Sequence, residues 1–324
     1  MALIEYKFLP GVDKQSSDSG AENRWIDSDN VRFRYGLPEK VGGWASLVTD
    51  TIVGVARAMH AFTDLTGNRY VAIGTDKFLL IYFEGQLHDV TPLKATLTSA
   101  TIATTNGSPI CTITKAAHGL AVGDIVQLDS VTLPGGTGFS NSDFEDKNFQ
   151  VATVPTTGTF TITQSSNASG TVSTGGSLSL KPFEPVGPRA QTYGYGWGVS
   201  SWGSGGWGQA AAASDVSLEP GLWSLDNFGE VLIATVANGK TFTWNGGAAT
   251  PLGNRASTAT SNFQTTNNPT ASRVTLVSPT TRHLIHLATE TTISDTTTQD
   301  DMFIRFSDQE GINTYAPTAT NTAG

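Results

Sequence analysis

Val231-Leu232-Ile233-Ala234-Thr235, then Asn238-Gly239-Lys240, then Phe242-Thr243-Trp244-Asn245-Gly246-Gly247 is the stretch from which the fold can be read. An apolar strand ends in Ala-Thr, a turn follows, and an alternating aromatic strand closes on a polar turn. Asn238-Gly239 is a strong hairpin signal, because a type I′ turn needs positive φ at both central positions. Two other segments repeat the plan. One is Tyr70-Val71-Ala72-Ile73-Gly74-Thr75-Asp76-Lys77 with Leu80-Ile81-Tyr82-Phe83-Glu84-Gly85. The other is Leu284-Ile285-His286-Leu287-Ala288-Thr289-Glu290 with Phe303-Ile304-Arg305-Phe306-Ser307-Asp308. Repeated hairpins build the blades of a β-propeller, in which each small sheet buries its faces only by stacking on its neighbours.

Composition agrees. Charged residues are 15% of the 324, well below the usual ~25%. Gly, Thr, Ser and Asn fill the gap, as in short strands joined by tight turns. Long 3.6-residue periodicity is missing. The expected class is all-β: a β-propeller, incomplete within these residues, with an inserted small β-barrel or sandwich module. The net charge of −9 argues against a tight duplex binder, whose affinity comes from phosphate neutralisation. It is compatible with a wall past which DNA slides. Cys111 is the single cysteine, so no intrachain disulfide or CxxC metal site can form, and a small half-buried strand residue is expected. Met1–Lys7 lacks the pattern of a secretory signal, and no run reaches the ~18 apolar residues of a membrane span. Synthesis in a cytoplasm with later assembly is expected.

The chain divides by composition. Residues 1–92 hold an N-terminal segment and the first propeller hairpins. Residues 93–182, rich in Thr, Ser and Gly, form the inserted module. Residues 183–324 hold a Trp/Gly-rich loop and further blades, with the last unit read as cut short. In the module, Ile113-Thr114-Lys115-Ala116-Ala117-His118-Gly119-Leu120-Ala121-Val122-Gly123-Asp124-Ile125-Val126-Gln127-Leu128 precedes Asn148–Val154 and Thr159–Thr163. Val-Gly-Asp makes a turn, Ile125, Val126 and Leu128 run into a core, and two alternating strands close the module. The pattern resembles a β-module that recurs as an insertion in phage virion proteins. His118 has no second His or Cys at ligand spacing and reads as a packing or turn-capping residue.

Residues 8–44 contain Phe8-Leu9-Pro10-Gly11-Val12-Asp13, Ser19-Gly20-Ala21-Glu22, and Trp25-Ile26-Asp27-Ser28-Asp29-Asn30-Val31-Arg32-Phe33-Arg34-Tyr35-Gly36-Leu37-Pro38-Glu39-Lys40-Val41-Gly42-Gly43-Trp44. Val31, Phe33 and Tyr35 fall on one strand face, Arg32 and Arg34 on the other. Leu37-Pro38 and Gly42-Gly43 read as turns. Trp25, Phe33 and Trp44 are expected to be buried, and Arg32 or Arg34 to pair with Asp27, Asp29 or Glu39. This run resembles the opening of the tail nozzle proteins of short-tailed bacteriophages, also called tail tubular protein B or packaged-DNA stabilisation protein. The resemblance implies a virion tail subunit forming a hexameric ring below the portal. The ring would meet an adaptor protein above and fibre or needle proteins nearby, and would retain and conduct the genome with transient, non-specific DNA contact in its lumen. It implies no catalytic residue, cofactor or metal.

In residues 187–208, Tyr193-Gly194-Tyr195-Gly196-Trp197-Gly198, Trp202-Gly203 and Gly205-Gly206-Trp207-Gly208 place aromatics between glycines. A base- or sugar-stacking platform is one reading. No Lys or Arg lies between Arg189 and Lys240, so Trp197, Trp202 and Trp207 read better as interface anchors, alongside Trp25, Arg32, Phe33, Arg34 and Trp44. Catalytic patterns are thin. His283 and His286 are three apart in a strand and so on opposite faces. Asp27 and Asp29, near Glu22, read as partners of Arg24, Arg32 and Arg34 rather than a glycosidase pair. G-x-S-x-G, a phosphate-binding Gly-Lys-Ser/Thr and H-E-x-x-H are all missing. A structural protein, not an enzyme, is expected. The alternative is a glycan-binding or receptor-recognition propeller of a phage tail, with depolymerase activity as one form of it.

Overall fold

A computed structural model describes residues 8–43, 45, 46, 48, 50–187, 220–256 and 268–324. Trp44, Trp197, Trp202 and Trp207 lie outside these residues. The fold is all-β and propeller-like. Residues 1–49 and 50–324 form two compact units.

In the first unit, β1 (Val31–Arg34) and β2 (Leu37–Lys40) make a two-stranded hairpin. The turn is Tyr35-Gly36, both at positive φ, as a two-residue I′ turn requires. Leu37-Pro38, expected as a turn, is therefore strand, and Tyr35 sits at the tip, 91% exposed.

The second unit contains three blade sheets, each wholly antiparallel. Blade 1 is β3 (Ala56–Thr63), β4 (Arg69–Thr75), β5 (Leu79–Phe83) and β6 (Gln86–Asp89) in that order. The seven strands β7 to β13 follow within residues 97–182. Blade 2 is β14 (Trp223–Phe228), β15 (Val231–Val236) and β16 (Thr241–Asn245). Blade 3 is β17 (Ser272–Val277), β18 (Leu284–Thr289) and β19 (Ile304–Phe306). The three hairpins read from sequence are β4–β5, β15–β16 and β18–β19, and each blade adds one strand before its hairpin. The β3–β4 turn is set by Asp64, whose carboxylate accepts from Thr66 N, Thr66 Oγ1, Asn68 N and Asn68 Nδ2. Asn238 has positive φ, but Gly239 does not. The expected I′ turn is replaced by a wider loop, because Asn238 N and Gly239 O hydrogen-bond with Ser272 and tie the loop to blade 3.

Blades 1 and 2 share an aromatic core of Phe62, Tyr70, Leu79, Ile81, Trp223, Leu232, Phe242 and Trp244. Trp223 packs against β4 at Gly74, and its Nε1 donates to Thr75 O at 2.8 Å. A Cβ on Gly74 would come within 2.5 Å of its ring, so only glycine lets the two sheets meet there. Blades 2 and 3 meet through Phe228, Ile233, Leu284 and Tyr315. Beside them runs a hydroxyl chain: Thr235 Oγ1 is 2.7 Å from both Thr241 Oγ1 and Thr275 Oγ1.

Residues 97–182 curl into one seven-stranded antiparallel sheet. In chain order its strands are β7 (Leu97–Thr104), β8 (Ile110–Thr114), β9 (Ile125–Thr132), β10 (Asn148–Gln150), β11 (Thr153–Thr156), β12 (Thr159–Thr163) and β13 (Val172–Pro182). Ile102, Cys111, Ile113, Val126, Leu128, Phe144, Phe160, Ile162, Leu178 and Leu180 fill its concave side. Ile125 departs from the expectation. Neighbouring strand residues face opposite ways, and Ile125 packs outward on Ile73, Phe78 and Leu80 of blade 1 with Phe183. Entry and exit adjoin, since Lys94 N donates to Pro182 O at 2.8 Å and Glu184 N to Pro92 O at 3.0 Å. An insertion with its own core and paired ends needs little from its host. Residues 93–182 expressed alone are expected to give dispersed, exchange-protected β-type amide signals. An unfolded spectrum would show that blade 1 is needed to form the sheet.

Candidate functional site

Among the described residues, those singled out by sequence do not converge on a catalytic centre. In the first unit, Trp25 is 38% exposed and leans on Phe8 with ring centroids 5.5 Å apart. Phe33 is half-buried. The expected burial of Trp25 therefore does not occur. The reason is size: Ala21 is the one buried residue among those described between 8 and 48, and so short a segment cannot build a core. The expected ion pair is present, with Arg32 Nε 3.2 Å from Glu39 Oε2. Arg34 instead lies over the Tyr35 ring at 5.4 Å. Asp27 pairs with Lys14 at 2.9 Å rather than with an arginine, and the Lys14 hydrogen bond draws its pKa down. These are exposed contacts, of the kind that contributes little to stability.

His118 acts as the sequence suggested. Its Nδ1 accepts from Leu120 N at 3.1 Å, and its ring meets Phe160 edge-on at 5.2 Å. Cys111 is fully buried rather than half-buried, and burial pushes its thiol up to about 11.

Sequence reading missed a buried polar cluster in blade 3. His286 is completely enclosed. Its Nδ1 is 2.8 Å from Ser272 Oγ, and its Nε2 is 3.0 Å from Tyr315 Oη. Ser272 and Thr289 continue the chain of hydroxyls to Ala271 O. Burial, then the Arg305 cation, lowers the imidazole pKa to about 3. Nearby, the enclosed Glu290 carboxylate accepts from Thr270 N at 3.1 Å and Ser294 N at 2.6 Å. Arg305 Nη2 donates to Glu290 O and Thr291 O. Ser272 and His286 resemble a nucleophile and base, but both are 1% exposed or less. No substrate can reach them, so the cluster pins β17, β18 and residues 312–315 together. The Ser-x-Val and Leu-Ile-His alternation was the only sequence signal for it.

A groove of about 510 Å³ lies between blade 1 and the inserted sheet, lined by Lys77, Asp124, Gln150, Glu184 and Val186 among others. Its polar groups have protein partners. Lys77 Nζ reaches Gln150 Oε1 at 3.4 Å, Asp124 Oδ2 accepts from Ala121 N, and Glu184 pairs with Lys240 at 2.9 Å. Asp129, Glu145 and Asp146 bring three carboxylates within 4.8 Å of one another. Asp129 is paired with Lys181, which lowers its pKa, and Glu145 accepts from Ser130 N and Val131 N. These are ordinary loop-bracing contacts.

No helix among the described residues is long and apolar enough to cross a membrane. No family model matches the chain, nor does any curated protein. Among solved structures, the chain is similar to phage phi92 endosialidase, at 15% identity and a TM-score of 0.23, over 77% of this chain and 43% of that one. It thus spans less than half the length of that protein. At so low a TM-score the likeness carries no argument about fold or activity.

Proposed function

We propose that this chain is a structural subunit of a phage tail, acting in the nozzle ring that retains and conducts the genome. The observation that carries the reading is the run at 8–44, whose described residues 8–43 form a mostly exposed, aromatic- and arginine-bearing segment. Such a segment suits contact with other proteins better than a core. The blade stack supports it, because its polar groups are spent on holding sheets together. On this reading the work is steric and electrostatic. Blades form a stiff wall, and the excess of 28 acidic over 19 basic residues disfavours phosphate capture in a lumen.

Two measurements test this. Imaging of the full chain mixed with purified tail adaptor rings is expected to show a ring with an axial channel. Duplex DNA affinity at low salt, about 50 mM, is expected to be no better than weak and non-specific. Tight binding there would replace the conduit with a DNA clamp. The second reading, a glycan- or receptor-binding propeller, draws on the groove beside Lys77, Asp124 and Gln150, whose amide and carboxylate groups are of the kind sugars engage. Binding on a carbohydrate array, with no association with adaptor rings, would favour it.

A further inference from the structure

Blade 2 shows how a sheet in this stack uses its two faces. Leu232 and Ala234 pack toward blade 1, while Val231 and Ile233 pack toward blade 3. Blade 1 repeats the alternation. Tyr70, Ala72, Leu79 and Ile81 face blade 2. Val71, Ile73, Leu80 and Tyr82 form an equally apolar second face, the one on which propeller geometry places another blade.

That face is already taken. Ile125 of β9 and Phe183 pack on it, with Ile52 and Leu93 alongside, and Ile73 and Leu80 are buried. The Phe78 and Phe183 rings meet edge-on at 5.6 Å. Backbone bonds fix the seat. Phe183 N donates to Ile125 O at 3.0 Å, and Leu93 bridges to Phe183 where the chain enters and leaves the inserted sheet. Arg255, which follows blade 2, adds a clamp: its guanidinium lies over the Phe183 ring at 4.9 Å and donates to Asp89 Oδ2 and Thr91 O.

The inserted sheet is patterned to match. Along β9, Val126 and Leu128 point into its own core. Of the alternate positions 125, 127 and 129, Gln127 and Asp129 are polar and Ile125 is apolar, and Ile125 is the one that meets blade 1. On β7, β8 and β12 the outward positions carry threonines. Thr161 pairs with Thr112, and Thr159 with Thr114, which also pairs with Thr101. A unit that ends a stack needs this division, apolar toward the stack and polar away from it.

We propose that the inserted sheet is the end cap of the blade stack, seated where a neighbouring blade would otherwise lie on blade 1. The stack then has a fixed end at blade 1, and a ring of blades closes there only if the cap is displaced. This does not rest on the functional reading above.

Hydrogen exchange of the full chain tests the contact. Ile125→Asp puts a charge into it at a residue that is not part of the inserted core. Amides of β4 and β5 are expected to lose protection by about tenfold or more, while those of β8 and β12 keep theirs. Should the charge also loosen β9, Ile125→Thr keeps a β-branched strand residue and is expected to give the same pattern at smaller amplitude. Thr112→Asp, on the threonine side, is expected to leave β4 and β5 unchanged. Unchanged protection of blade 1 in both Ile125 variants would overturn the proposal, as would an equal loss from Thr112→Asp. An electron-microscopy map of the full chain is expected to show the seven-stranded sheet against blade 1. Another blade in that place would overturn the cap, whichever chain supplied it.

Discussion

Trp244→Ala is expected to destabilise the protein by about 3–5 kcal/mol. Trp244 is 2% exposed and stands edge-on to Tyr70 at 5.3 Å and Phe62 at 6.2 Å. Its indole N–H is shared between Pro251 O and Asn254 O, both at 3.1 Å. Truncation removes one of the two tryptophans in the interface of blades 1 and 2, leaves a cavity between two stiff sheets, and frees the 251–254 turn. Trp244→Phe keeps most ring contacts and loses the N–H, so a smaller loss of about 1–2 kcal/mol is expected. Urea unfolding of the three proteins decides the matter. If the alanine variant stays within ~1 kcal/mol of the parent, the aromatic cluster is not what joins these blades.

Stability is expected to fall steadily as pH drops below about 6.5, through His286. In the unfolded chain this imidazole has an ordinary pKa near 6.5. In the fold its pKa is about 3. The hydrogen bonds alone do not forbid a charged ring, since Ser272 and Tyr315 hydroxyls can accept as well as donate. Enclosure and the Arg305 cation oppose the charge. Between the two pKa values the unfolded state holds a proton that the folded state lacks, so unfolding is favoured as pH falls, and the contribution is complete only above pH 6.5. The full effect is roughly 5 kcal/mol, with a slope approaching about 1.4 kcal/mol per pH unit. Asp129, Asp143 and Asp308, whose pKa values are drawn below 3.8 by hydrogen bonds, act lower in pH. The window from pH 6.5 to about 4.5 therefore lies above the range of these carboxylates. His286→Asn is expected to flatten the stability profile there, as read by denaturation midpoints at each pH. An unchanged slope in that variant would show that the ring is reached by water.

The alternation in Tyr70–Phe83, Val231–Asn245 and Leu284–Phe306 was enough to find one hairpin in each blade. Strand faces are a local property: two-residue periodicity and the residues tolerated in turns are written along a few neighbouring positions. The strand that precedes the hairpin in each blade was not legible, nor was β6 of blade 1. Ala56–Thr63 carries Arg57 and His60, and Trp223–Phe228 carries Asp226 and Asn227. Partners from other sheets satisfy these groups, as in His60 Nε2 to Asn227 Oδ1 at 2.8 Å. The inserted sheet was visible through its composition and its Val-Gly-Asp turn, and the outward packing of Ile125 was not. Local patterning determines which residues share a face. Which face is then covered depends on contacts between residues far apart in the chain, made only when sheets stack. That is why Trp25, expected inside, stays at the surface of a segment too short to enclose it. It is also why His286, one of five scattered histidines, became the most deeply buried of them.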